Sequence, residues 1–144
     1  KKALSLNFLN YFYILFVKLN SLWAGKMKLV TLKKRRDFVL SNKHGQKTYN
    51  NNFILQEYCN PNISDQGLMF GFTATKRIGN AVKRNRAKRR MRALISGLLK
   101  EDKILFKEKY SYVLIAKQSI LEASFYEMYN QLKEGLSRLW LKDF

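Results

Sequence analysis

The sequence predicts an α+β fold, an α/β sandwich in which helices cover a small mixed sheet. Two observations lead to this prediction. Segments with alternating apolar residues, typical of strands, are interleaved with segments whose apolar residues recur every three or four positions, as in helices. The predicted order is helix, two or three strands, helix, strand, helix, and such a strand–helix–strand passage packs its helix onto the sheet. At 144 residues, the chain suffices for one such domain with a modest core.

The first predicted helix is LKKRRDFVLSNK, Leu32–Lys43. Its predicted apolar side consists of Leu32, Phe38, Val39 and Leu40. The sequence His44-Gly45 follows, and a glycine just after the last periodic residue is typical of a helix C-cap. We therefore expect the helix to end at this pair.

Two strands are predicted after the first helix. FILQEY, Phe53–Tyr58, reads as a strand, and Tyr49–Asn52 is expected to add a strand edge before it. The loop 60–67, NPNISDQG, holds the single proline and separates the next strand. That strand is LMFGFTAT, Leu68–Thr75, with alternating residues on its two faces. One face carries Leu68, Phe70, Phe72 and Ala74.

The second predicted helix carries most of the unusual charge. Asn80 has the residue type of an N-cap, and the helix is expected to run from Ala81 to about Leu99. The predicted apolar stripe consists of Ala87, Met91, Leu94, Ile95 and Leu98. At about 100° per residue, the residues that project from the opposite side are Asn85, Arg86, Arg89 and Arg92. The residues at the boundary are Arg84, Lys88 and Arg90.

The chain is predicted to close with a strand and a helix. YVLIA, Tyr112–Ala116, has the continuous apolar character of a buried strand. Ser124 and Glu127 form the S-x-x-E pattern of a capping box, which predicts the start of a helix that runs to about Leu141. The predicted inward residues of this helix are Phe125, Tyr129, Leu132, Leu136, and Leu139 with Trp140.

The charge balance indicates a polyanionic partner. The chain carries 28 Lys and Arg against 10 Asp and Glu, a formal net charge of +18. A folded domain with this excess repels itself unless nucleic acid or an anionic membrane neutralises it. No Asp or Glu occurs from Lys76 to Lys100, whereas an ordinary solvated face mixes charges of both signs. We therefore expect nucleic-acid binding, with a solvated face, an anionic lipid surface and a merely supercharged soluble enzyme as alternatives.

The residue types of the second helix fit contacts with phosphates and bases. Arginine grips a phosphate with two parallel hydrogen bonds, and an exposed Asn85 offers a donor and an acceptor to a base edge or a ribose hydroxyl. Lys76 and Arg77 precede the helix, where the free N–H groups of its first turn also attract an anion. These residues are the first candidates for a nucleic-acid interface.

The sequence offers little for metal binding or nucleophilic catalysis by the protein. It contains one cysteine, Cys59, and one histidine, His44. A single cysteine excludes an internal disulfide, and the two residues together cannot complete a zinc site of about four ligands. We expect Cys59 to be an ordinary strand-end or loop residue in a reducing compartment and His44 to be solvated. Nothing around His44 suggests a Ser-His-Asp or Cys-His nucleophile, and no pair of carboxylates is placed to bind catalytic metals.

Residues 1–26 differ in composition from the rest of the chain. Their apolar run, Ala3–Val17, is shorter than the roughly 20 residues that cross a bilayer. Met27 is the first methionine, and residues 27–144 have the composition of one basic domain. We expect residues 1–26 to be an upstream extension, disordered or not native to the protein, and an amphipathic membrane anchor is the alternative.

The segment TATKRIGNAVKRNRAKRRMR, Thr73–Arg92, resembles the signature of the bacterial ribonuclease P protein component. In that family, a strand ending in Ser/Thr and Lys leads through Val/Ile-Gly-x-Ala-Val into an Arg-Asn-Arg helix. The resemblance covers nearly all of residues 27–141, including the aromatic and glycine of the first helix and the YVLIAK strand. It implies a fold similar to the second domain of ribosomal protein S5, with an unusual left-handed strand–helix–strand crossover.

The resemblance also implies a function in transfer RNA maturation. The family's enzyme is a ribonucleoprotein that removes the 5′ leader from precursor transfer RNA, and its large RNA subunit performs the hydrolysis with Mg²⁺. The protein is then an accessory subunit without catalytic residues of its own. The implied partners are the catalytic RNA and precursor transfer RNA, the implied location is the cytoplasm, and no stable membrane association is expected.

The family's functional residues carry over to this chain by position. The implied RNA-binding residues are Lys76, Arg77, Asn80, Lys83, Arg84, Asn85, Arg86, Lys88, Arg89 and Arg92. The implied leader-binding residues are Phe38 and Phe53, in a cleft between the first helix and the sheet. The family often has a second aromatic one turn after Phe38, and Asn42 stands there instead, which implies weaker or differently placed leader contact. The alternatives are a non-enzymatic RNA-binding protein, such as a small ribosomal protein, and a peripheral membrane protein held by residues 1–26 and the basic face.

Overall fold

Four strands form one mixed sheet that three helices cover, as the computed structural model shows for residues 29–63, 67–102 and 105–142. In chain order, the elements are α1 (Arg35–His44), β1 (Gln46–Tyr49), β2 (Phe53–Cys59), β3 (Leu68–Thr73), α2 (Ala81–Asp102), β4 (Tyr110–Ala116) and α3 (Phe125–Leu141). The strand order is β1-β2-β4-β3. β4 pairs antiparallel with β2 and parallel with β3, and β1 is antiparallel to β2. The predicted α+β class is confirmed. The handedness of the crossover through α2 stays a prediction, and residues 1–26 lie outside the described part of the chain.

α2 forms where its cap and its apolar spacing predict it. The Asn80 side chain accepts a hydrogen bond from the Lys83 backbone N–H at 3.0 Å, which satisfies a free donor of the first turn. All five residues of the predicted stripe are buried. The helix continues to Asp102, beyond the predicted end. Because the predicted stripe is the buried one, the side of α2 that faces the sheet and the side that faces outward are both as predicted.

α3 begins at its predicted cap, and Leu132, Leu136 and Leu139 are buried as predicted. The Ser124 hydroxyl accepts a hydrogen bond from the Glu127 backbone N–H at 3.0 Å. The buried stripe consists of Met128, Leu132, Gly135, Leu136 and Leu139. The prediction that Phe125 points inward is wrong, because 45% of its surface is exposed. The spacing from Leu132 back to Met128 fits the same helical period, and Met128 takes the core position.

Leu32 is buried and Phe38 packs on Gly71, as the predicted apolar side requires, but the inward side of α1 also carries polar residues that apolar spacing does not predict. Val39 is 52% exposed, whereas Asp37 and Ser41 are buried. The Ser41 hydroxyl lies 3.1 Å from Gln56 Oε1 of β2, and Asn60 donates a hydrogen bond to the Asp37 carboxylate at 3.1 Å. α1 is therefore held to the sheet through buried hydrogen bonds, which hydrophobic periodicity does not detect.

The two faces of the sheet have different partners. Side chains from alternate positions, including Phe53, Leu55, Phe70 and Leu114, form one core with α2 and α3. The opposite face meets the shorter α1, which leaves part of it open. Among the described residues, no helix combines the length and apolar character needed to span a bilayer.

Tyr112 is fully buried in the core and accepts a hydrogen bond from the Lys107 backbone N–H at 2.8 Å. Burial, and then the nearby Glu57 carboxylate, raise the pKa of Tyr112 well above the ordinary value. Because the folded pKa is the higher one, stability is full below pH 10 and falls as ionisation of the unfolded chain begins above it. The expected fall is up to about 1.4 kcal/mol per pH unit from this group.

Tyr112→Phe should therefore reduce the loss of unfolding free energy between pH 9 and pH 11, measured by urea denaturation. Tyr126→Phe, at a position that is 77% exposed, is the matched control. Its unfolding free energy should fall with pH as steeply as that of the natural sequence. Equal slopes for the Tyr112→Phe variant and the natural sequence would contradict the assignment.

Candidate nucleic-acid interface

The outward side of α2 carries the predicted cations. Asn85, Arg86, Arg89 and Arg92 are exposed, and the boundary residues Arg84, Lys88 and Arg90 are partly buried, as their helical positions predict. The buried stripe behind them fixes α2 against the sheet. The positive charges therefore stand on a rigid element instead of a loop, which lowers the conformational cost of binding.

The segment before α2 adds two exposed cations, Lys76 and Arg77, in a short 3₁₀ turn. Ile78 is buried and anchors this turn to the core. Gly79 follows with φ = 137°, a region that favours glycine, and a Cβ there would lie 2.7 Å from Lys83 Cδ. The glycine thus lets the chain turn sharply from β3 into α2, which brings the two cations beside the first turn of the helix.

Two of the predicted RNA-binding or flanking arginines have partners within the protein. Arg84 donates a hydrogen bond to the carbonyl oxygen of Gly79 at 2.8 Å. Arg90 donates to the carbonyl oxygen of Leu121 at 2.7 Å and to that of Ala123. The Arg84 guanidinium group thus binds the turn before α2, and the Arg90 guanidinium group binds the segment before α3. Their boundary positions on the helix predict partial burial, but the sequence pattern does not identify these acceptors.

We call the exposed or partly exposed cations of this surface the basic band: Lys76, Arg77, Lys83, Arg86, Lys88, Arg89 and Arg92. Among the described residues, the ion pairs found join Lys107 with Glu57, Lys133 with Glu101, and Arg138 with Glu134. None of them neutralises the basic band. Arg92 additionally lies over the Phe72 ring, with its Cζ 5.7 Å from the ring centroid. The band is therefore a field of like charge that favours a polyanion.

A second candidate surface is the cleft between α1 and the open face of the sheet. Phe38 of α1 is half-buried there and lies over Gly71 of β3. A Cβ at Gly71 would be 2.5 Å from Phe38 Cε1, so the glycine makes room for the ring. The partly exposed Phe38 ring can offer a face to an unpaired base.

The prediction that Phe53 lines this cleft is wrong. Its side chain is 0% exposed and belongs to the core on the opposite face of the sheet. Because side chains alternate along a strand, the next residue, Ile54, points to the cleft side instead. Cross-strand partners of Ile54 are Tyr49, which is 63% exposed, and Ile115. Sequence reasoning missed these three residues, although the burial of Phe53 with Leu55 is implied by the strand period.

Asn42 stands one turn after Phe38 and connects α1 to the sheet. Its side-chain oxygen accepts hydrogen bonds from Lys47 Nζ at 3.0 Å and Gln56 Nε2 at 3.3 Å. The position therefore serves the packing of α1 and provides no ring for stacking.

The single histidine and the single cysteine, His44 and Cys59, line one small surface depression together with Glu57 and Tyr110. No group of three or more His, Cys, Asp or Glu in the described part of the chain is placed to hold a metal ion. Cys59 is an exposed strand-end residue, as predicted, and His44 is exposed at the end of α1.

Comparison with known proteins gives consistent matches. The family model described as Ribonuclease P matches residues 27–140. A ribonuclease P protein component from Erythrobacter litoralis is 34% identical over 111 residues, covering 77% of this chain and 86% of that protein. The component from Bacillus pumilus is 36% identical, with coverage of 77% and 85%. The solved RNase P protein of Staphylococcus aureus is 26% identical with a TM-score of 0.63, covering 78% of this chain and 96% of that one. The RNase P protein from Thermotoga maritima, at 23% identity and a TM-score of 0.55, shares the fold.

Proposed function

The chain belongs to the ribonuclease P protein family, and from this premise we propose that it is the protein subunit of a bacterial ribonuclease P ribonucleoprotein. In this role it assists a catalytic RNA in removing the 5′ leader from precursor transfer RNA. It binds both the RNA subunit and the leader. The proposal also includes a cytoplasmic location, which stays a prediction.

The observation that carries this proposal is the basic band on a core-anchored helix. Arg86 and Arg89 are exposed, and no ion pair or hydrogen bond among the described residues engages their guanidinium groups. Arginine forks match phosphate oxygens, and each phosphate that is neutralised releases counterions from the RNA. The band therefore supports binding to a folded RNA with strong salt dependence.

The leader is proposed to bind in the cleft that holds Phe38. The half-buried ring of Phe38 can stack on one base, and the nearby apolar residues Ile54 and Ile115 extend the surface along the sheet. Asn42 contributes hydrogen bonds to the fold at the position where a second ring would stand. We therefore expect a short contact with the leader that depends mainly on one aromatic side chain.

The RNA subunit is proposed to perform the hydrolysis and to hold the Mg²⁺ ions of the enzyme. The protein then contributes in two ways. It adds affinity for the leader, which positions the substrate, and its cations screen phosphates that approach each other closely. The screening effect is largest at low Mg²⁺ concentration, where few divalent cations are present to screen the phosphates.

The proposal is tested by cleavage of a precursor transfer RNA with the ribonuclease P RNA of Bacillus pumilus, with and without this chain. At low Mg²⁺, we expect the chain to raise the cleavage rate by about tenfold or more, equivalent to about 1.4 kcal/mol. At high Mg²⁺ the stimulation should shrink, because the metal then screens the RNA. Absence of stimulation together with preferential binding to ribosomal RNA would contradict the proposal and favour a small ribosomal protein.

Phe38→Ala should weaken the affinity of the reconstituted ribonucleoprotein for precursor transfer RNA by about five- to tenfold, because one stacked base is lost. The affinity for mature transfer RNA, which has no leader, should stay unchanged. Binding titrations with both RNAs measure the difference. Val39→Ala, on the exposed side of α1, is the matched control and should affect neither affinity. Equal losses for the two RNAs would exclude Phe38 from leader binding.

A further inference from the structure

A groove of about 590 Å³ lies between α2 and the segment that leads into α3. We call it the α2–α3 groove, and its lining comprises Lys83, Arg86, Arg90 and the segment 121–125. It lies on the opposite side of the sheet from the leader cleft, since α2 and α3 pack on the core face. A volume in this range suits a small organic group such as a nucleotide.

The wall of the groove is fixed by the protein itself. Arg90 donates hydrogen bonds to the carbonyl oxygens of Leu121 and Ala123, which tie the segment before α3 to α2. Ile120 is fully buried next to this segment, and Ser124 caps α3. The groove therefore exists before any ligand enters, so binding does not have to order its wall.

Phe125 gives the groove an aromatic side. The ring is 45% exposed and stacks on Tyr129, with centroids 6.2 Å apart and planes at 22°. Tyr129 is held in turn by a hydrogen bond from its hydroxyl to Glu101 and by Lys133, whose Nζ lies 5.2 Å from the ring centroid. Phe125 is thus an exposed ring held in place by a second ring, and a base can extend this stack.

The charges of the groove select the class of ligand. Lys83 and Arg86 are exposed members of the basic band, and Glu122 is the one acidic residue among the lining residues. The positive excess attracts a phosphate and disfavours a cationic peptide. A groove lined by both an exposed aromatic ring and cations is an arrangement by which proteins hold single-stranded nucleic acid.

We propose that the α2–α3 groove binds one unpaired nucleotide of the ribonuclease P RNA subunit, with its base on Phe125 and its phosphate at Lys83 and Arg86. The proposal rests on the proposed function and makes it more specific, because phosphate contacts alone would hold any RNA helix. A stacked base requires a nucleotide that is free of pairing, so the groove reads a local RNA structure at the edge of the band.

The test uses the full chain with the ribonuclease P RNA of Bacillus pumilus, without precursor transfer RNA. Chemical probing of the bases should show that the natural sequence protects an unpaired nucleotide that Phe125→Ala leaves reactive. The same substitution should weaken affinity by about fivefold, the loss of one stacked base. Phe125→Trp should retain the protection, because it keeps a flat ring. Tyr126→Ala, at the next and 77% exposed position outside the groove, should behave like the natural sequence.

Two outcomes would overturn the inference: unchanged affinity and protection with Phe125→Ala, or an equal effect of Tyr126→Ala. Protection elsewhere on the RNA by Phe125→Ala shows that this variant is folded. If the natural sequence binds the RNA and stimulates cleavage while Phe125 has no effect, only this inference fails. If the natural sequence neither binds nor stimulates, the proposed function itself fails.

Discussion

Replacing Arg86 and Arg89 together by alanine is expected to weaken binding to ribonuclease P RNA by about 2 kcal/mol, a factor of about thirty. Each exposed arginine contributes about 1 kcal/mol when it meets a phosphate, and the two stand one turn apart on α2. The dependence of log affinity on log salt should become shallower by about two, since two fewer counterions are released. Filter-binding or fluorescence titrations at several salt concentrations measure both quantities.

The control removes the same charge from another surface. Arg138 is 65% exposed near the end of α3, and Lys142 is exposed just after it. Arg138→Ala with Lys142→Ala lowers the net charge by two, as the band variant does, and should leave the affinity within about twofold. An unchanged salt slope in the band variant would show that these arginines do not meet phosphates. Equal losses of RNA affinity in both variants would show that the effect comes from the overall net charge and not from the basic band.

The location of the basic band could be predicted from the sequence because one strong pattern determines it. The five apolar residues of α2 recur at helical spacing, and the core they enter fixes the helix about its axis. Once that side is known, the positions of Arg86 and Arg89 follow from geometry alone. The cap at Asn80 adds the correct start, because a short-range hydrogen bond determines it.

The internal roles of Arg84 and Arg90 could not be predicted in this way. Both lie at the boundary of the stripe, where a small rotation decides between solvent and protein. The acceptors of Arg90 are backbone carbonyl groups near Ala123, more than a dozen residues beyond the end of α2. Only the tertiary packing of α3 against α2 brings them close, and no local pattern in the sequence encodes that contact.

The residues that line the leader cleft could also not all be predicted from the sequence. Phe53 was predicted there because the strand matches the family, yet the strand period sends its side chain to the core and Ile54 to the cleft. A shift of one residue along a strand moves a side chain to the other face of the sheet. Matching a strand to the family therefore does not identify the ligand-binding side chain unless the register of the strand is known. The inward polar residues of α1, Asp37 and Ser41, do not follow from the sequence pattern because their contacts are hydrogen bonds.

A buried ion pair between β2 and the segment before β4 was also hidden from the sequence. Lys107 Nζ lies 2.8 Å from Glu57 Oε1, and the side chains are 8% and 2% exposed. The ammonium group also lies 5.0 Å from the ring centroids of Tyr110 and Trp140. The two charged residues are 50 positions apart, and the tertiary fold brings the segment before β4 against β2. This pair gives the largest expected effect on stability.

Lys107→Met is expected to lower the free energy of unfolding by about 3–5 kcal/mol, because it leaves the Glu57 carboxylate buried without its counter-charge. Glu57→Gln combined with Lys107→Met should recover most of that loss, since no uncompensated charge remains in the double variant. Urea denaturation of both single variants and the double variant yields the coupling energy between the two residues. Additive losses would contradict a direct interaction. Because Lys107 lies outside the basic band, the double variant should bind ribonuclease P RNA like the natural sequence, so a parallel loss of RNA affinity would link this pair to the interface itself.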